Sequence, residues 1–215
     1  MAATALRAQI ESQARLGARL LLPSLLPQRP APETVPTGIA ELDVLTGGLP
    51  RGALTEICGP ASSGRTSLLH SLLAGATRRG EAVAVIDSSS ALDPTSAEGA
   101  GIELTRLLWV RSTDLQTSLK AAEVVIIAGG FSVVALDLAN APARLLHTIP
   151  RAIWIRLQHA LEQSDSALVT LLSEPVASAV AAATFHLRTS RPCWQGALAS
   201  SRLLQGIDIG LRRQS

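Results

Sequence analysis

The stretch "GPASSGRTS", Gly59 to Ser67, separates the short apolar run "ALTEIC" (Ala53–Cys58) from the helix-like segment "TSLLHSLLAGATRR", which closes at Gly80. A strand that passes into a helix through a two-glycine loop admits few folds. Gly59 and Gly64 allow a tight cradle with no side chain in the way. Successive backbone N–H groups and the helix N-terminus then converge on one point, where an anion is favoured. The pattern is that of the phosphate loop G-x-x-x-x-G-K-[ST], with Arg65 at the lysine position. Gly59, Pro60, Ala61, Ser62, Ser63, Gly64, Arg65, Thr66 and Ser67 are thus candidate nucleotide-binding residues, and the Thr66 hydroxyl is a candidate Mg²⁺ ligand. The competing reading is a plain Gly/Ser-rich turn between strand and helix.

The rest of the chain alternates strand and helix signals. "AVAVID" (Ala82–Asp87) and "LLWV" read as buried strands, because neither shows polar alternation. Asp114–Ala128 reads as a helix, "SVVALDL" (Ser132–Leu138) as a strand, and Arg144–Gln163 as a helix interrupted early by Pro150. "ALVTLL" (Ala167–Leu172), "TFHLR" (Thr184–Arg188) and "GIDIGLR" (Gly206–Arg212) add three strands. This order predicts an α/β fold with a largely parallel central sheet flanked by helices. Aromatic residues make up only 2% of the 215 residues. The core must therefore be aliphatic, as such a sheet requires.

Upstream, Leu6, Ile10, Ala14, Gly17 and Leu21 recur at helical spacing and form one apolar stripe. The prolines at 23, 27, 30, 32 and 36 then forbid a continuous helix. The expected organisation is an N-terminal helical arm (1–22), a proline-rich linker (23–36) and a core (37–215) that ends in an arginine-rich tail. The arm is expected to fold back on its own core or to dock on another chain, with Leu6, Ile10 and Leu21, together with Arg212 and Arg213, as candidate partner contacts. A net charge of +2 is too small to signal nucleic-acid binding by bulk electrostatics. Lys120 is the single lysine among 19 basic residues. Two cysteines without metal-type spacing, no secretory signal and no apolar run long enough for a membrane span lead us to expect a cytoplasmic protein.

Three segments in order carry a resemblance to a known family. "TGIAELDVLTGGLPRGALTEICGPASSGRTSLL" resembles the entry and phosphate loop of the RecA-like ATPase core, "AVAVIDSSSALDP" the segment that follows, and "SVVALDLA" the Walker B strand. The resemblance implies the RecA-like P-loop fold and ATP or ADP with Mg²⁺ as cofactor. It gives Asp137 a role in positioning Mg²⁺, a capping carboxylate being the alternative, and makes Asp93 a contact to the adenine. The departures fall on functional positions. Arg65 keeps the charge of the family's lysine but is longer and planar. Ser89 stands where a glutamate orients the attacking water, and a hydroxyl is no general base unaided. Ser96 replaces a stacking tyrosine. The segment after the Walker B strand, "ANAPARLLHTIPRA", is short and apolar, and the one after "ALVTLL", "SEPVASAVAAA", has neither the cations nor the aromatics that single-strand binding uses. DNA binding is therefore expected to be weak or absent.

Eroded motifs, small size, a helical arm and an arginine-rich end are similar to the ImuA type of RecA-like accessory protein. That likeness implies a role in bacterial translesion synthesis, with RecA itself and/or an ImuB-type polymerase-like mutasome protein as partner and no catalytic residue of its own. Two other readings stay open. One is an active ATPase of the RecA/KaiC type that draws its carboxylate from Glu98 or Glu174. The other is a cell-division inhibitor resembling SulA, against which the retained glycine loop argues.

Overall fold

The computed structural model describes residues 33–195 and 203–214; the side chains of Glu41, Leu45 and residues beyond Arg188 lie outside the description. The arm predicted over residues 1–22, with Leu6, Ile10 and Leu21, also lies outside it, and Arg212 and Arg213 are described as backbone alone. In chain order the elements are β1 (Thr34–Val35), α1 (Ala40–Thr46), β2 (Leu49–Pro50), β3 (Leu54–Cys58), α2 (Arg65–Arg78), β4 (Val83–Asp87), α3 (Pro94–Gly99), β5 (Leu107–Arg111), α4 (Leu115–Ala128), β6 (Val133–Asp137), α5 (Ala143–Leu146), α6 (Arg151–Glu162), β7 (Ala167–Leu172), β8 (Ala183–Gln195) and β9 (Leu203–Gln214).

Seven strands form one sheet in the order β5-β4-β6-β7-β3-β8-β9, parallel throughout except for the β8–β9 pair. The predicted α/β class with a largely parallel sheet is what forms. Its interior strands are apolar on both faces because helices cover both. In β4 and β6 the register Val83↔Val133 and Ala84↔Val134 aligns residues of like orientation. Val83, Val85, Val133 and Ala135 then join Leu68, Leu72 and Leu73 of α2 in one core layer. Ala84, Ile86, Val134 and Leu136 meet Leu119 and Ile126 of α4 and Trp154 and Leu157 of α6 in the other. The strand period of two thus sorts one apolar run into two cores.

Helix boundaries follow local chemistry. Asp114 accepts the Thr117 N–H at 2.8 Å and caps α4. Asp93 accepts the Ser96 N–H at 2.9 Å and caps α3, with Pro94 in its first turn. Pro150 divides the segment read as one interrupted helix into α5 and α6.

Two expectations are corrected. "LLWV" is not a buried strand: β5 is the sheet edge among the described residues, and Leu108 there is 41% exposed. "TFHLR" and "GIDIGLR" are pieces of a much longer antiparallel ribbon, β8 and β9, of 13 and 12 residues. Only the start of β8 pairs with β3, over Ala183–His186, and the rest runs on with β9 alone. The short helices α1 and α3 were not predicted.

Candidate functional site

The carboxyl ends of β3, β4, β6 and β7 meet at the loop between β3 and α2, where ligands of open α/β sheets bind. Gly59 leaves β3 so closely packed that a Cβ there would lie 2.5 Å from the Leu187 carbonyl oxygen and 2.5 Å from Ser63 Oγ. Only glycine fits. Ser62 and Gly64 take left-handed conformations, φ 59° and 93°. Ser63 N–H donates to the Pro60 carbonyl at 3.2 Å, and the helix ladder starts with Leu68 N–H on Gly64 at 2.9 Å. The N–H groups of α2's first turn have no intrahelical acceptor, and no acidic side chain sits in that turn. Ser63 Oγ is buried in the loop with no hydrogen-bond partner among the described residues. A buried donor left over beside a helix N-terminus suits a cradle for anionic oxygens, so the loop fits the phosphates of a nucleotide.

The side chains on the loop's far side are arranged differently. Arg65 does not reach out over the loop. Its Nη1 donates to the Leu172 carbonyl oxygen at 2.6 Å, at the end of β7. The Gly59 N–H donates to the same oxygen at 3.2 Å. Burial lowers the Arg65 pKa, while Asp137 and Cys58 pull it back up. Thr66 and Ser67 are exposed.

Asp137 ends β6. Burial raises its pKa above the ordinary carboxylate value, with the Asp87 charge adding to the rise and the Ala139 N–H and Arg65 opposing it. Asp87, at the end of β4, is fully buried. Burial pushes its pKa up, but the N–H groups of Leu92, Ala91 and Ser89 and the Trp109 indole outweigh that and hold it below the usual value. Trp109 therefore orients Asp87, while Arg111 lies 5.1 Å from its ring centre.

Ser89 stays at this edge, where Asn140 Nδ2 donates to its Oγ at 3.1 Å. Asp93 and Ser96 are both exposed, and the Asp93 carboxylate is engaged by the Ser96 N–H and hydroxyl as the α3 cap. Of the two carboxylates considered as substitutes, Glu98 is exposed on α3, and Glu174 lies 2.9 Å from His147 Nε2.

One residue escaped the sequence reading. Glu56, in the middle of β3, is completely buried. Its carboxylate accepts from Val176 N–H at 2.9 Å, Ala177 N–H at 2.6 Å, Ser178 Oγ at 3.2 Å and Thr184 Oγ1 at 2.9 Å. It thereby fixes the loop after β7 to the strand that carries the phosphate loop. The signal was present: an acid inside an apolar strand must find donors.

Comparison with known proteins agrees with this geometry. The family model for the RecA N-terminal domain matches residues 4–146. The chain belongs to the RecA N-terminal domain family. Among curated relatives, Protein RecA of Methylococcus capsulatus is 40% identical over 107 residues, 49% of this chain and 31% of that protein. Protein RecA of Symbiobacterium thermophilum is 37% identical over 132 residues, 60% of this chain and 37% of that protein. Protein RecA of Aquifex aeolicus is 35% identical over 125 residues, 57% of this chain and 36% of that protein. The aligned part of this RecA-family chain thus spans about a third of the length of the relatives it matches. Among its described residues, no helix is long and apolar enough to cross a membrane.

Proposed function

We propose that this RecA-family chain is an accessory protein of the ImuA type, working through protein contacts in translesion DNA synthesis rather than by hydrolysing ATP. The observation that carries the proposal is the Arg65 guanidinium, bonded at 2.6 Å to the Leu172 carbonyl at the position of the family's phosphate-binding lysine. Its charge is engaged with the protein's own backbone. Ser89, at the position of the water-orienting glutamate, offers only a hydroxyl, and that oxygen accepts from Asn140.

The loop N–H groups and Thr66, with Asp137, are the residues that would hold ATP or ADP and Mg²⁺. A bound nucleotide would supply negative charge to the α2 N-terminus. The protein's own groups would bind and orient it, and neither Arg65 nor Ser89 offers a general base to water. Asp93, committed to capping α3, is the weakest of the nucleotide assignments.

RecA itself and/or an ImuB-type polymerase-like protein is the proposed partner, with Leu6, Ile10, Leu21, Arg212 and Arg213 as contact residues. DNA binding is weak or absent in this reading, since the loop 173–182 carries no lysine, arginine or aromatic residue. The proposed setting is the bacterial cytoplasm.

A second reading, an active ATPase using Glu174, has one observation in its favour. Glu174 lies close enough to β3 for its charge to contribute to the raised pKa of Cys58.

Phosphate release with Mg-ATP separates the two. The expected result is no detectable turnover for the natural chain and none for Arg65→Lys, because position 89 still lacks a carboxylate. Turnover restored by Arg65→Lys alone refutes the assignment of Ser89, and natural turnover abolished by Glu174→Gln establishes the second reading. Affinity capture from DNA-damaged cells, with and without residues 1–22, tests the partner assignment.

A further inference from the structure

We infer that the groove between α4 and the α5–α6 turn docks an acidic, amphipathic segment of a partner protein. The groove measures about 300 Å³ and is lined by Leu115, Leu119, Ile149 and Ile153 together with Lys120 and Arg156. It exists because Pro150 breaks the helix, so that Thr148–Pro150 turns instead of packing on α4 as a continuous coil would. The volume suits two or three aliphatic side chains and stands at the lower end of the ~300–1,000 Å³ range of ligand pockets.

Charge selects the occupant. Lys120 is exposed and forms no hydrogen bond or ion pair among the described residues. Its field is felt at Asp114, whose carboxylate is already held by Thr117. Arg156 shares one bond with Glu123, 2.7 Å from its Nε. On α5 and α6 Arg144 and Arg151 are exposed as well, and the one carboxylate these two helices carry, Glu162, lies 3.3 Å from His159. An apolar groove whose rim carries Lys120 without an ion pair, beside Arg156 with further donors to offer, recognises an anionic partner with an apolar stripe.

Two other occupants fit less well. A single nucleic-acid strand would look for stacking aromatics, and the lining has none. A second copy using the same face would oppose cations of like sign, since an isologous contact pairs a patch with itself.

The inference deepens the accessory reading by giving the partner's chemistry. Its test is separate from that of the reading, because a peptide titration makes no use of phosphate release or of cell extracts. The probe is a fluorescent, acetylated, lysine-free peptide of about 14 residues in which leucines form one helical stripe and glutamates the rest. A scrambled peptide of equal composition, a lysine-for-glutamate analogue and an oligothymidine serve as comparisons. The full chain should bind the acidic amphipathic peptide by anisotropy and the comparison probes at least about tenfold more weakly. Lys120→Glu, on an exposed side chain that should leave the melting temperature unchanged, should weaken binding by a similar factor. Ile153→Asp should abolish it; Lys120→Glu keeps the test intact if that second variant fails to fold.

The single lysine gives an independent readout. Carbodiimide coupling should join a peptide glutamate to Lys120, located by peptide mass mapping. Equal binding of the scrambled peptide, indifference to Lys120→Glu, or tighter binding of oligothymidine overturns the inference. So does a dimer in sedimentation equilibrium that dissociates on Lys120→Glu.

Discussion

Glu56 allows the most direct test of how the site is held together. Replacing it with alanine strips the acceptor from two buried backbone amides, Val176 and Ala177, and from the Ser178 and Thr184 hydroxyls. Each stranded amide costs about 1–3 kcal/mol. The hydroxyls can turn to other acceptors and contribute less. The two amides together give about 4 kcal/mol, within the range for opening a buried polar network from one side. In a domain of about 180 residues, 1 kcal/mol shifts the melting temperature by about 2–4 °C, so Glu56→Ala should melt about 8–16 °C lower. Glu56→Gln retains one oxygen for the amides and should lose about half as much. Circular dichroism gives the melts. Hydrogen exchange should report faster exchange at residues 176 and 177, while amides in β4 and β6 change only as global stability falls. A Glu56→Ala melt within about 2 °C of the natural chain, or unaltered exchange at those two amides, refutes the account of Glu56 as the anchor of this loop.

Asp137 should behave in the opposite sense. Its folded pKa is raised, so the folded chain holds that proton more tightly than the unfolded chain does, and the resulting stability is present below the unfolded pKa and lost as pH rises through the folded one. Asp137→Asn should therefore melt higher at neutral pH, with the gain shrinking as pH falls toward ~4; a lower melt at neutral pH contradicts this. Burial pushes the Cys58 thiol up to about 12, with Glu56 and Glu174 adding to the rise and Arg65 opposing it. Iodoacetamide near pH ~8 should leave Cys58 unmodified in the native chain and label it in denaturant, as read by peptide mass mapping. Gly59→Ala would drive a methyl to 2.5 Å from the Leu187 oxygen and Ser63 Oγ. It should lower the melting temperature and remove any binding of fluorescent ADP, and unchanged values for both would show that the loop yields freely.

The architecture was readable in the residues because it rests on local signals. "ALVTLL" has the same limits in the sequence reading and in β7, and the glycine loop marks the start of α2 to within one residue. The weaker predictions came where one apolar run can stand in two environments. "LLWV" looks the same in the middle of a sheet as at its edge, and strand order is settled only by long-range pairing. Helices α1 and α3 have seven and six residues, too few for an apolar period to emerge. At the site, the charge at position 65 was legible in the residues but its direction was not. The Arg65 rotamer depends on a carbonyl more than a hundred residues away, contributed by β7. The fourfold engagement of Glu56 depends in the same way on a loop and a strand that fold onto β3 from the far end of the chain.

The oxygen of Leu172 belongs to the main chain, and so it is beyond the reach of substitution. Residue 172 can drift among aliphatic types without removing the acceptor that Arg65 and Gly59 share. Selection can adjust that junction from one side alone, through the length and shape of residue 65, so whether the charge at this position turns to the main chain or toward a guest is written in a single codon.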